Sequence, residues 1–162
     1  MIVLMFVALL QVSIERAILE TEDRRSDDAS VILKALDKDN SDPAVQRLAV
    51  RALGRLERLR HAAAVTPLLH SPDRAVRMEA VNALGQMGTD TDLSIPLADE
   101  RDDEVRGVYY ETIGRLPLAD EGLLVKLIKG LQEPGPHART GAAKGLESYF
   151  AITTPASLVR RY

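Results

Sequence analysis

Apolar residues recur in four stretches of the chain at offsets of 0, +3, +4, +7, +8 and +11 from an anchor, the spacing of a single helix face. The anchors are Val45, Val76, Val105 and Ala138, separated by 31, 29 and 33 residues. The first stripe reads Val45, Leu48, Ala49, Ala52, Leu53, Leu56. The second reads Val76, Glu79, Ala80, Ala83, Leu84, Met87, with Glu79 as its only mismatch. The third reads Val105, Val108, Tyr109, Thr112, Ile113, Leu116, and the fourth Ala138, Gly141, Ala142, Gly145, Leu146, Tyr149. Second helices are expected to alternate with these, over about Ala29–Leu36, Ala62–His70, Thr91–Leu97 and Glu121–Leu131, and a further apolar helix, Ile14–Thr21, precedes them. Pro67 and Pro96 should delay or bend two of the second helices. Self-similarity at this period predicts stacked helical pairs, each burying its apolar face against its neighbours. The expected fold is all-α: a short right-handed α-solenoid (superhelix) of about four to five helical hairpins, with the second helices lining the concave side. The repeats run over about 14–41, 42–70, 71–100, 101–133 and 134–162.

Small residues punctuate the pattern. Ala49, Ala80 and Ala142 share one position, where a neighbouring helix can approach closely, and Gly54, Gly85 and Gly114 share another at +9. Glycine within a helix costs about 1 kcal/mol relative to alanine, so its return implies close backbone contact or an early helix end. Pro43, Pro72 and the Pro134/Pro136 pair stand just ahead of the long helices, where a missing N–H does no harm.

Composition narrows the chemistry. The 162 residues are 46% apolar but only 4% aromatic, with no Trp, so the core is built from Ala, Val, Leu and Ile. A formal charge of −3 gives no global attraction to phosphate backbones or anionic lipid. The absence of Cys excludes disulfides, thiol catalysis and Cys-ligated zinc. Met1–Leu10 is an unbroken apolar run, too short for a bilayer span of about 20 residues and of the length of a signal-peptide core. It predicts an exported, periplasmic protein, or a cytoplasmic one if the run is instead a buried first helix; residues 1–13 are set apart from the repeat domain, 14–162, accordingly. At the other end Thr154-Pro155 opens what reads as another helix shortly before Tyr162, an ending that suggests more chain.

The pattern Asp-Pro-x-Val-Arg-x-x-Ala-x-x-Ala-Leu-Gly, carried by Asp42–Gly54 and Ser71–Gly85, less closely by Asp102–Gly114 and faintly by His137–Glu147, resembles HEAT-like repeats of the phycobilisome-lyase type. Ile18–Arg25, Arg47–Leu59 and Arg77–Gly85 are also similar to bacterial exported proteins in which such repeats precede a cyclophilin-type peptidyl-prolyl isomerase domain. No cyclophilin sequence is present. The resemblance implies a noncatalytic protein–protein interaction scaffold. Its alternatives are the N-terminal repeat module of an isomerase whose catalytic domain is absent, or a bilin lyase-like subunit.

Candidate site residues follow from this reading. Polar side chains on the second helices, Thr66, His70, Lys126 and Lys129, are placed to meet a protein or peptide partner. Tyr109 and Tyr110 stand where the other copies carry Ala and Val, either filling a gap in the core or serving as an aromatic anchor for that partner. Asp42, Asp73 and Asp103 recur just before or near the anchors, and Arg77, Arg106 and Arg139 one residue after them, a pattern that suggests a structural ladder between copies. Arg47, Arg51, Arg55 and Arg58 form a stripe on one helix face, read as solvated because the equivalents Met78, Asn82, Gln86, Gly107 and Glu111 break it. No nucleic-acid partner is expected. The Asp37–Asp42 turn lacks the Gly and Glu of a calcium loop, and His61, His70 and His137 are scattered. No catalytic residue, metal or cofactor is expected.

Overall fold

The computed structural model describes residues 14–36, 42–89, 92–116 and 121–153. The apolar run Met1–Leu10, the acidic turn at 37–41 and the Thr154-Pro155 helix start lie outside the described residues, wholly or in all but their last position. Every regular element among the described residues is helical, so the all-α expectation holds. The chain divides into two compact units, Met1–Met87 and Gly88–Tyr162.

The first unit contains α1 (14–23), α2 (Ser30–Lys34), α3 (Pro43–Leu56), α4 (Ala62–Val65) and α5 (Arg74–Met87). Short 3-10 turns, Leu59–His61 and Thr66–His70, flank α4. The expected Ala62–His70 helix is therefore split: Pro67 has no N–H to donate, and the α-helix gives way at Thr66 to tighter 3-10 geometry. The second unit contains α6 (Ser94–Asp99), α7 (Asp103–Arg115), α8 (Glu121–Gly130) and α9 (Pro136–Thr153).

The four apolar stripes become the buried faces of α3, α5, α7 and α9. Within α3, α5 and α7 the +3 position is only half-buried, at Leu48, Glu79 and Val108. That explains how the second copy tolerates a glutamate: its mismatch falls at the edge of the core. The +5 position, polar or apolar by no rule in the sequence, is buried at Val50, Val81 and Tyr110. These long helices thus bury a wider face than one stripe, because they pack against a neighbouring long helix and a shorter partner. Ile18, Ile32, Leu53, Val65, Leu68 and Leu84 are among the fully buried side chains of the first unit, and Leu93, Ile113 and Leu127 of the second. Each such side chain stabilises the fold by about 1.5–3 kcal/mol relative to exposure.

The recurring aspartates and arginines close each copy locally. Asp42 accepts from Ala44 N at 2.8 Å and Asp73 from Val76 N at 2.9 Å. Asp102 accepts from Glu104 N and Val105 N. Each thereby caps the helix it precedes, satisfying donors that have no intrahelical partner. Arg77 donates to the carbonyls of Ser71 and Pro72, Arg106 to those of Leu97 and Glu100, and Arg139 to those of Glu133 and Pro134. The arginine one residue after each of the last three anchors reaches back to hold the turn that leads into its own helix. Asp103 reaches the next long helix: its carboxylate accepts from His137 N at 2.9 Å and Ala138 N at 3.0 Å, capping α9 from α7. Burial opposes ionisation there, but the two backbone donors, with His137 and Arg139 nearby, hold the Asp103 carboxyl below its ordinary range. The ladder imagined from the sequence is thus a set of caps and turn clamps, with backbone groups as the main partners.

Candidate functional site

The second helices differ sharply in what they expose. In α8 the residues facing the core are Leu123, Leu127 and Gly130, spaced by four and three. Val125 and Ile128 lie on the opposite side and are each 49% exposed, and Leu131 just beyond the helix is 41% exposed. Lys126 and Lys129 are exposed on the same helix. Lys126 Nζ meets Ser94 Oγ of α6, whose hydroxyl donates to Asp92 Oδ1 at 2.5 Å. The Ser94 side-chain and backbone donors hold the Asp92 carboxyl below its ordinary range, and Lys126 adds to this. Part of the Lys126 charge is therefore committed within the unit, while Lys129 stands beside Val125 and Ile128. Ile95 of α6, at 68%, is also exposed. This is an apolar helix face bordered by lysines.

In the first unit, His70 is exposed and Thr66 half-buried. The Thr66 hydroxyl donates to the Ala62 carbonyl at 2.9 Å, a local bond that occupies its donor proton.

Tyr109 and Tyr110 are 1% and 5% exposed. Neither ring is offered to a partner, and the aromatic-anchor expectation is corrected: both are core side chains. A Cβ added at Gly130 would sit 2.8 Å from Tyr110 Cε1, so the ring takes up space that only glycine leaves open. The Tyr110 hydroxyl donates to Glu133 Oε1 at 2.6 Å, and Arg106 Nη2 pairs with the same oxygen. Burial, then the bond to Glu133, pushes the Tyr110 hydroxyl up to about 12. Burial also acts against the Glu133 charge, but the Arg106 and Tyr110 donors prevail and lower its pKa. Sequence reading singled out Arg106 and Tyr110 separately and missed Glu133, which lies 27 and 23 residues away from them. No local signal links the three.

Arg47, Arg55 and Arg58 of the arginine stripe are exposed, as expected of a solvated face, and the stripe also forms ion pairs. Arg55 Nη1 pairs with Glu22 Oε1 of α1 at 2.5 Å, and Arg58 and Arg60 reach Asp27 Oδ1 at 3.4 and 3.3 Å. Glu79 of α5 is pushed up by burial while Arg51, Arg47 and Arg55 act in the opposite sense. The one mismatch in the apolar pattern and the one unpropagated arginine stripe therefore face each other. A cleft lined by Glu15, Ala44, Arg47, Leu48, Arg51 and Glu79 lies along this seam.

Among the described residues no group of His, Cys, Asp or Glu is placed to hold a metal ion, and no helix is long and apolar enough to cross a membrane. Residues 29–97, which hold the first two copies of the pattern, match the family described as HEAT repeats. No curated protein matches the chain.

Proposed function

We propose that this chain is a noncatalytic scaffold that holds another protein on the solvent face of its second helices, with α8 as the principal contact. The observation that carries this reading is the exposure of Val125 and Ile128 on α8 with Lys129 beside them. An apolar centre bordered by charge has the make-up of a protein-binding patch. The HEAT-repeat match supports it, because such repeats commonly serve as interaction scaffolds. His70 and Thr66 offer a weaker polar surface in the first unit. The isomerase-module and bilin-lyase readings rest on resemblance alone, and no feature of either unit adds to them.

A photo-crosslinking residue at position 128 of the native-length protein is the test. A discrete protein adduct is expected there, and none from the same residue at Glu147, an exposed position of α9. Lys129→Glu should suppress the adduct without changing Tm. Equal labelling from both positions would sink the proposal. Export belongs to the same proposal through Met1–Leu10: N-terminal sequencing of the native protein should begin beyond that run, and a retained Met1 would remove it.

A further inference from the structure

In the first unit a second cleft is lined by Glu22, Asp23, Arg25, Arg55, Glu57 and Gln86. Its deepest group is Glu22, only 8% exposed. Glu22 Oε1 takes the Arg55 bond, but Oε2 is buried without a hydrogen-bond partner among the described residues. A buried carboxylate oxygen left in that state is costly unless something else serves it.

Both guanidinia at the cleft are already engaged: Arg55 with Glu22, and Arg25 through Nη2 with the Arg55 carbonyl at 3.1 Å. The two lip carboxylates and the Glu22 Oε2 atom are not. Asp23 and Glu57 are exposed and make no side-chain hydrogen bond or ion pair among the described residues. Three carboxylates against two committed arginines leave an excess of acceptors. Arg25 and Glu57 are also the two non-glycine residues with positive φ among the described residues, at 46° and 54°. The left-handed turn at Glu57 ends α3 and holds that carboxylate at the lip of the cleft.

We propose that this cleft receives the guanidinium of an arginine side chain presented by a partner protein. A guanidinium carries five N–H donors in a flat fork and serves several carboxylates at once, whereas an ammonium is a compact, strongly hydrated point charge. The arginine would bridge the lip carboxylates of Asp23 and Glu57 and extend toward the Glu22 carboxylate. This inference rests on the scaffold reading and names the chemistry of what is held.

The full chain is titrated with a blocked glycine–arginine–glycine tripeptide, followed by backbone amide NMR shifts, with the lysine tripeptide as comparison. Saturable shifts are expected at Glu22, Asp23, Arg25 and Glu57, with the lysine peptide weaker by about tenfold, the scale of one charge-assisted hydrogen bond. The double variant Asp23→Asn, Glu57→Gln touches only exposed carboxylates; it should weaken arginine binding by about tenfold or more and leave Tm unchanged. Absence of saturation, equal binding of the lysine peptide, or insensitivity to the double variant would each overturn the assignment. If the crosslink at position 128 forms while the tripeptide fails to bind, this inference falls and the scaffold reading stands. If the tripeptide binds and no crosslink forms, the α8 surface falls and the arginine cleft stands.

Discussion

Each unit lays two long helices side by side, and the two pairs meet by different means. In the first unit, Gly54 of α3 faces Ala83 and the Gln86 side chain of α5, while the edge of the contact carries Glu79 opposite Arg47, Arg51 and Arg55. In the second, α7 and α9 make the most extensive packing of the unit. There Gly107 meets Gly141 and Gly114 meets Gly145, backbone against backbone. Gly141 and Gly145 are four residues apart and so share a face of α9. One repeat pattern thus tolerates two solutions: a contact edged by an arginine–glutamate seam, or one that glycines draw together backbone to backbone, with Asp103, Glu104 and Glu111 reaching α9 at its edge. Both units carry clefts lined by ionised groups, and the second also displays α8.

The sharpest way to break this comparison is to add a methyl group at the same repeat position in each unit. Gly114→Ala would drive its Cβ into the Gly145 carbonyl, an immovable backbone atom, and overpacking of this kind costs about 1–3 kcal/mol. The loss should fall near the top of that range. Gly54→Ala meets the end of the Gln86 side chain, which can swing aside, and Ala83 Cα at 2.8 Å. Part of its cost is offset by the helix preference of alanine, so a loss of about 1 kcal/mol is expected. Denaturant unfolding of both variants checks the order; a costlier Gly54→Ala would contradict it.

Tyr110→Phe comes next. It removes a hydrogen bond to a charged, largely buried acceptor and should cost about 1–2 kcal/mol at neutral pH. The folded-state pKa of about 12 lies above the ordinary 10.0, so the neutral phenol is favoured by folding. That stability is fully present below about pH 10 and is lost as pH rises through about 12. The Phe variant should lack this alkaline decline, and a parallel decline in both proteins would refute the role given to the hydroxyl.

In the first unit, Arg55→Ala should lower Tm, because it leaves the buried Glu22 carboxylate without its partner. Arg58→Ala should leave Tm unchanged, since Asp27 is 80% exposed and such pairs contribute little. Equal effects would remove the distinction. The smallest effect concerns His61, buried and held neutral by desolvation, with Arg60 and Arg58 adding to the depression of its pKa. A depressed folded-state pKa contributes stability above the ordinary value of 6.5 that is lost as pH falls. His61→Gln should flatten the acid limb of the stability curve by a modest amount.

The helical repeat was legible because periodicity is local: a stripe at +3, +4, +7 and +8 is written within one helix. The glycine positions were legible as close contacts, and Gly54 and Gly114 occupy such contacts. What escaped was set by residues far apart in the chain. Glu133 gained its role from Arg106 and Tyr110, and the arginine stripe from Glu22, Asp27 and Glu79 on other elements. Tyr109 and Tyr110 were ambiguous because a tyrosine reads the same in a core as on a surface. Lys126 and Lys129 are exposed as expected, but the sequence reading left Val125 and Ile128 unassigned, and the burial of Leu123, Leu127 and Gly130 fixes which side of α8 faces inward.

The difference between the two units is tested most directly by native-state hydrogen exchange of the intact chain at low salt and at about 1 M salt, where the screening length falls to about 3 Å. Protection should drop in α1 and along α3, whose charged seams are partly exposed, and stay constant in α7 and α9, where backbone meets backbone. Uniform protection at both salt concentrations, or a larger loss in α7 and α9, would contradict the account.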